Sequence, residues 1–525
     1  MRVLLLYPKF PPSFWSFEKA LELVNRKALL PPLGLVTVAA LLPQEWEFRL
    51  VDHNVRSVTE AEWEWAELVV ISAMIVQKAD FAAQIREGKK RGKLVAVGGP
   101  YPTSLPAEVE EMGADFLVLD EGEITLPLFV EALAKGETRG IFRSAEKPAV
   151  TETPTPRYDL LELNAYDNMS VQFSRGCPFQ CEFCDIIVLY GRKPRTKTPE
   201  QLLAELECLY NLDWRGPVFM VDDNFIGNKR NVKLLLHALK DWMAAKDYPF
   251  TLSTEASVDL ANDPELMDLM MECNFNSVFL GIETPDEESL ALTKKFQNTR
   301  DPLHESVDKI IAVGLEVRAG LIMGFDGEKQ GAGERIVKFV EKTAIPVAMF
   351  SMLQALPHTA LWHRLEKEGR LLNQGANINQ TTLMNFIPTR PIEDIAHEYI
   401  NAFWQLYDPK QYLDRTFRHY MKLGNPRYSK LRSIDWVTVR ALSTLLLRQG
   451  VIRETRFQFW INLWKIFQHK PKLLSAYITS CAKFEHFVEY RGLVRHQITQ
   501  QLEQLATTRQ ASIHAVEDES LLQAS

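Results

Sequence analysis

The sequence predicts an α/β protein of two successive parallel-sheet domains followed by a helical C-terminal region. Three observations carry this. Short, almost wholly apolar runs alternate with amphipathic stretches from residue 1 to about 135. The same rhythm resumes from 167 to about 355, after a polar connector with three prolines over 136–166. From 356 to about 505 the strand-like runs stop and helical patterns take over. A chain of 525 residues exceeds what one hydrophobic core organises, so two or three domains are expected.

In the first segment the runs are VLLLY (3–7), FRLVD (48–52), ELVVISA (67–73), KLVAVGG (93–99) and DFLVLD (115–120). They are too apolar to face water on either side. They therefore predict a sheet covered on both faces by crossover helices such as LGLVTVAALL (33–42) and DFAAQIREGKKRG (80–92). This is a doubly wound, Rossmann-like domain, whose ligand sits beyond the carboxyl ends of the strands. Those ends carry Asp52, Ser72, Gly98-Gly99-Pro100 and Glu121-Gly122-Glu123. No G-x-G-x-x-G follows the first run, which argues against a nicotinamide or flavin dinucleotide. A large planar or phosphate-bearing ligand stays open, as does the plainer reading that the glycines only make turns. The connector reads as too polar to enter a core.

The second segment contains SVQFSR (170–175), GPVFMVDD (216–223), FTLSTEA (250–256), SVFLGIE (277–283), LEVRAGLIMGF (315–325) and PVAMFSMLQAL (346–356). Six strand–helix units predict a parallel barrel or partial barrel with its chemistry at the C-terminal strand ends; an open sheet is the alternative.

Composition narrows the class. An apolar fraction of 46% and a charged fraction of 24% exclude collagen-like, disordered and disulfide-scaffold chains. The N-terminus reads as a buried strand and not as a signal peptide, and no run of about eighteen apolar residues occurs. A cytoplasmic location is expected. The net charge of −8 hides a basic region: residues 410–495 hold 17 Lys and Arg against 5 Asp and Glu. Such a region meets an anionic or amphiphilic partner, or else is a solvated basic face.

Of six cysteines, Cys208, Cys273 and Cys481 are scattered through helical patterns and read as buried apolar residues. Cys177, Cys181 and Cys184 stand in SRGCPFQCEFCDI, directly after the first strand of the second domain. A structural zinc site wants four ligands, and no fourth cysteine or histidine lies near. Three thiolates suit a [4Fe-4S] cluster that keeps one iron open.

Cys-x3-Cys-x2-Cys with Phe183 before the last cysteine closely resembles the radical S-adenosylmethionine (SAM) enzymes. The resemblance implies a partial (β/α)6 barrel, SAM chelated by the open iron, and reductive cleavage of SAM to a 5′-deoxyadenosyl radical. It also implies a small reductant such as flavodoxin or ferredoxin. By the same resemblance Phe183, Asp223, Asn224, Glu255, Glu283, Arg318 and Ile322 are expected to contact SAM. Asp222, Asp223 and Asn224 depart from the Gly-Gly-Glu often found in the family.

The preceding domain, through PPLGLVTVAALL (31–42), VGGPYPTSLPAE (97–108) and ADFLVLDEGEIT (114–125), resembles the cobalamin-binding domain of the B12-dependent class. Gly34, Asp52, Ser72, Gly98, Gly99, Pro100, Gly122 and Glu123 are the cobalamin contacts this implies. The D-x-H-x-x-G pattern of histidine-ligated cobalt is missing, so His53 is expected to be a surface or strand-end residue. The chain from about 406 onward resembles a domain of unknown role on some members of the class, including hopanoid C-2 methylases.

These resemblances imply a cobalamin-dependent radical SAM enzyme that methylates an unactivated carbon: one SAM supplies the methyl through cobalamin, and a second supplies the radical. Oxidative cyclisation or rearrangement with the same cofactors is the alternative. A non-catalytic sensor is disfavoured by the lack of an output motif, and nucleic acid is disfavoured as a partner by the acidic body. The substrate is expected to be a hydrophobic small molecule or lipid, because no basic or carboxylate-rich motif beside the barrel runs points to a strongly charged one. RFQFWINLWKIFQHK (456–470) sets a narrow polar stripe at 458, 462, 465 and 468–470 beside a wide aromatic face. It reads as a helix buried against the barrel, or as one lying on the inner face of a membrane. The stretch 506–525 is expected to be a disordered tail.

Overall fold

The computed structural model describes residues 1–372, 379–428 and 435–523. All five runs of the first segment form strands: β1 (Arg2–Tyr7), β2 (Glu47–Asp52), β3 (Leu68–Ser72), β4 (Leu94–Gly98) and β5 (Phe116–Val118). A sixth, β6 (Gly140–Phe142), arises inside the connector and pairs with β5 as an edge. The order is β2-β1-β3-β4-β5-β6, all parallel. Alternate side chains divide the two faces. Leu4, Leu6, Val69, Ile71, Val95 and Val97 form a separate core on one side. Val3, Leu5, Leu68, Val70 and Ala96 join the core shared with the rest of the chain on the other. This is why the strands carry no polar face.

The connector is not excluded from the core, as expected of it. Val150, Tyr158 and Leu161 are buried, and the Tyr158 hydroxyl donates to the Ser170 carbonyl at 2.9 Å. Isolated anchors without a period give no sequence pattern, yet three of them pin the segment into the seam between the sheets.

The second sheet comprises β7 (Met169–Val171), β8 (Pro217–Met220), β9 (Thr251–Ala256), β10 (Phe275–Glu283), β11 (Glu316–Met323) and β12 (Val347–Met352). These strands are parallel and neighbour one another in chain order. β7 and β12 do not pair, so the sheet is a partial barrel with a lateral gap. Fully buried residues such as Val218, Leu252, Val278 and Val317 pack under the outer helices. The half-buried residues that alternate with them, such as Phe219, Glu255, Phe279, Ile322 and Met349, face the lumen.

The helices that matter for the site and its surroundings are α1 (Leu33–Leu41), α2 (Pro100–Ser104), α3 (Gly122–Ala134), α4 (Ile392–Leu406), α5 (Pro409–Lys422), α6 (Trp436–Leu447), α7 (Arg456–His469) and α8 (Leu474–Gln523). The C-terminal helices close the lateral gap. Tyr407, just after α4, donates to the Ala348 carbonyl (2.7 Å) and accepts from its N–H, so a free edge of β12 is satisfied. The loop after β1 fills the gap itself. Trp15 lies 5.8 Å from the Phe279 ring and 3.1 Å from the Met349 sulfur, while His486 of α8 bonds the Ser13 and Phe14 carbonyls.

One expectation fails here. α8 runs helical to Gln523, through the stretch expected to be a disordered tail. That stretch has no glycine or proline, and propagating a preformed helix costs far less than nucleating one. The polar stripe of α7 is divided: Asn462 is buried and bonds the Leu413 carbonyl, while Lys465, Gln468 and His469 are exposed beside the outward Phe457, Trp460, Trp464 and Phe467. Among the described residues, no helix is long and apolar enough to cross a membrane.

Candidate functional site

The cysteine loop is framed by a short antiparallel pairing of Ser174–Arg175 with Arg195–Thr196. Gly176 opens it at φ 90°, where a Cβ would stand 2.8 Å from the Gly191 carbonyl oxygen. Two carboxylates at the end of β8 hold the entry. Buried Asp222 accepts from the Phe173 and Ser174 N–H groups (2.8 and 2.9 Å) and the Ser174 hydroxyl (2.6 Å). Asp223 accepts from the Gly176 N–H at 2.8 Å. Asp222 is thus a clamp for the loop, and the neighbouring Asp223 reaches into the lumen.

All three cysteines of the motif are free thiols on this loop. The Asn224 amide nitrogen lies 4.0 Å from the Cys177 sulfur, and that of Gln297 3.6 Å from the Cys181 sulfur. Burial pushes the Cys177 and Cys184 thiols up, and the charges of neighbouring thiolates push further. An iron–sulfur cluster relieves this by taking all three as thiolates, and amide donors aimed at the sulfurs suit that task. Among the described residues no three ligating side chains already form a metal cage. The fit of the [4Fe-4S] cluster therefore rests on the donor set.

Beside the loop, the lumen is acidic. Burial, then the charges of Asp223, Asp222 and Glu283, pushes Glu255 up to about 7. Burial likewise takes Asp223 up to about 6. The Glu255 carboxylate makes no hydrogen bond to a described residue, so it is open to a cationic ligand. Glu283 is instead neutralised by Lys295, whose ammonium also stands 6.0 Å from the Phe183 ring. Phe183 packs at 5.8 Å on Phe325. Ile322 faces the lumen near the end of β11. Arg318 lies toward the start of that strand and is ion-paired with Glu316 at 3.2 Å. That end also holds Lys483 of α8, its ammonium 5.9 Å from the Phe17 ring and pushed down to about 8 by burial and by Arg318.

On the first sheet, Gly98, Gly99 and Pro100 turn β4 into α2. Gly99 has φ 94°, and a Cβ there would meet the Ser72 hydroxyl at 2.5 Å. Gly34, near the start of α1, is exposed with open space around it. Gly122 begins α3. Two expected cobalamin contacts are occupied otherwise. Asp52 is buried and bonded to Asn54 and to the Tyr166 hydroxyl. Glu123 pairs with Arg175 at 2.9 Å and accepts from Thr153. With Glu121, which meets Arg175 and Arg195 at 2.8 Å each, it forms a buried bolt between the first sheet and the cysteine loop. Strand-end position alone could not separate a ligand contact from an interdomain ion pair. His53 ends the edge strand β2, its Nδ1 3.0 Å from Asp80, with Nε2 buried and unpartnered.

Family models match this architecture in order: a B12 binding domain over residues 22–130, the radical SAM superfamily over 171–340, and a domain of unknown function, DUF4070, over 359–500. An uncharacterized methyltransferase of Synechocystis sp. is 67% identical over 97% of this chain and 96% of its own length. The hopanoid C-2 methylase of Rhodopseudomonas palustris is 36% identical over 79% of this chain and 78% of its own. The chain belongs to the cobalamin-dependent radical SAM methyltransferases. The fold of this methyltransferase is shared with the solved structure of TsrM from Kitasatospora setae, at TM-score 0.61 and 16% identity over 85% of this chain and 98% of that one. It is shared equally with the cobalamin-dependent radical enzyme OxsB, at TM-score 0.60 and 15% identity over 96% and 81%. The cofactors of the methyltransferase are the [4Fe-4S] cluster, SAM and cobalamin.

Sequence reasoning missed three residues beside the cysteine loop: Arg175, Lys295 and Gln297. Arg175 lies two residues before Cys177 and was legible as a neighbour. The others come from distant segments without a motif and are brought in by the fold alone.

Proposed function

We propose that this methyltransferase acts on an unactivated carbon of a lipid-class substrate bound in the barrel lumen. The apolar lumen wall carries the reading: Phe219, Phe279, Ile322 and Met349 line it, and Trp15 backs it. Arg318 and Lys483, beside Glu316 and Asp167, would receive a polar end of the substrate, which makes it amphiphilic and not a bare hydrocarbon. The named specificity of the hopanoid C-2 methylase points to the same class.

In this reading Cys177, Cys181 and Cys184 hold the cluster, with Asn224 and Gln297 donating toward its thiolates. Asp223 and Glu255 face the cationic SAM, while Phe183, Glu283 and Ile322 shape its pocket. Arg318 is assigned to substrate in preference to SAM. Gly34, Ser72, Gly98, Gly99, Pro100 and Gly122, at and beside the carboxyl ends of β3–β5, would hold the cobalamin. When bound, the cluster supplies an electron to SAM and cobalamin supplies a transferable methyl group. A flavodoxin or ferredoxin in the cytoplasm would deliver the electron. The chain's own residues hold the three partners in line and exclude water.

The test compares lipid extracts of a gene deletion with those of its parent, and then supplies the missing species' precursor to the reconstituted enzyme with methyl-labelled SAM. A product heavier by one methylene and carrying the label is expected, together with 5′-deoxyadenosine. Loss of hydrogens without label would overturn methylation in favour of cyclisation.

A further inference from the structure

Helix α7 and the turn before it expose a row of large apolar side chains. Phe459, Asn462 and Ile466 face inward, whereas Val451, Ile452, Phe457, Trp460, Trp464 and Phe467 face outward. Phe457, Trp464 and Phe467 are 69%, 58% and 60% exposed. Burying such side chains is favourable, so a row of them left in water marks a surface with a partner.

The charge around the row says which partner. Residues 436–472 contain seven Lys and Arg and one acidic residue, Glu454. Arg453 is engaged by Glu485, but Arg440, Arg448, Arg456, Lys465 and Lys472 make no ion pair with a described residue. Two copies of the chain meeting through this face would bring like charges together. An anionic bilayer answers both features: indoles and phenyl rings enter the headgroup boundary, and cations beside them meet lipid phosphates. We propose that the α7 face and the turn before it seat the protein on the surface of an anionic lipid bilayer. The 14 residues of α7 lie in the plane of the interface and do not cross it. The seat is independent of what the lumen binds.

The experiment is flotation of the cofactor-loaded full chain with vesicles of phosphatidylcholine alone or with added phosphatidylglycerol. The protein should float with the anionic vesicles, about tenfold less with the neutral ones, and progressively less as salt rises. F457S/W464S/F467S should lose at least about tenfold in bound fraction, with unchanged circular dichroism and iron absorbance. R456E/K465E should lose the preference for phosphatidylglycerol. A wild-type chain that stays unbound, or a triple variant that floats equally well, overturns the proposal. So does a vesicle-free dimer in light scattering that the triple variant dissolves, because the face would then join two chains.

Discussion

At Gly99 and Gly176 the backbone does what no side chain would allow, and in the proposed function each position borders a different cofactor. Gly99→Ala combines φ 94° with a Cβ 2.5 Å from the Ser72 hydroxyl. It should weaken retention of hydroxocobalamin through gel filtration by about tenfold or more, while iron absorbance stays normal. Replacing Cys177, Cys181 or Cys184 by Ala should do the converse, removing iron-dependent absorbance and SAM cleavage; Cys208→Ala should change neither. Glu255 offers a pH test. Its folded-state value of about 7 lies above that of an unfolded carboxyl, so the folded protein holds an extra proton between about 4.5 and 7. The stability this group contributes is present at low pH and is lost as pH rises through that window. Thermal melts of the cofactor-free protein at pH 5 and 7.5 should therefore show Glu255→Gln gaining on wild type at the higher pH. An equal offset at both would place the Glu255 carboxyl in ordinary solvent.

Among elements, the joint between β5, α3 and the cysteine loop decides whether two half-sites become one. Arg175 bridges Glu121 and Glu123 where all three are buried. Arg175→Gln leaves Glu123 without its cation, and breaking such a pair costs about 3–5 kcal/mol. The expected result is faster proteolysis within 136–166 and looser cobalamin, with the isolated cluster loop still able to bind iron. Proteolysis at the wild-type rate would show that other contacts carry the joint. The alternating faces of β8–β12 were legible as strands. The lateral gap was not, because the segment that fills it, Phe14 to Phe17, precedes the barrel by some 150 residues and carries no periodic pattern.

Over the whole molecule, Glu121 and Glu123 tie the carboxyl end of the first sheet to the cysteine loop, and the C-terminal helices close the lateral gap of the barrel. The position of His53 bears on cobalt. It ends the edge strand β2 and is engaged by Asp80, with β1 and β3 between it and the turn of Gly98 and Gly99. Electron paramagnetic resonance of the Co(II) form should therefore lack nitrogen superhyperfine splitting. Its appearance, and its loss in His53→Ala, would bring the unpartnered Nε2 to the metal.

Eleven of the twelve parallel strands stand in the sequence as apolar runs, because a strand covered on both faces needs no partner's help to look buried. The missing one, β6, is three residues on an edge with Ile141 half in water. The proposed cluster ligands were equally legible: three thiols in one loop are a local fact. Which carboxylates are free was not. Glu123 and Glu255 both end or follow strands, yet one is consumed by Arg175 and the other faces the lumen alone. The outward aromatic face of α7 belongs to the same class. An amphipathic pattern shows that a helix has two faces, and only the packing of α5 and α8 decides which of them meets water.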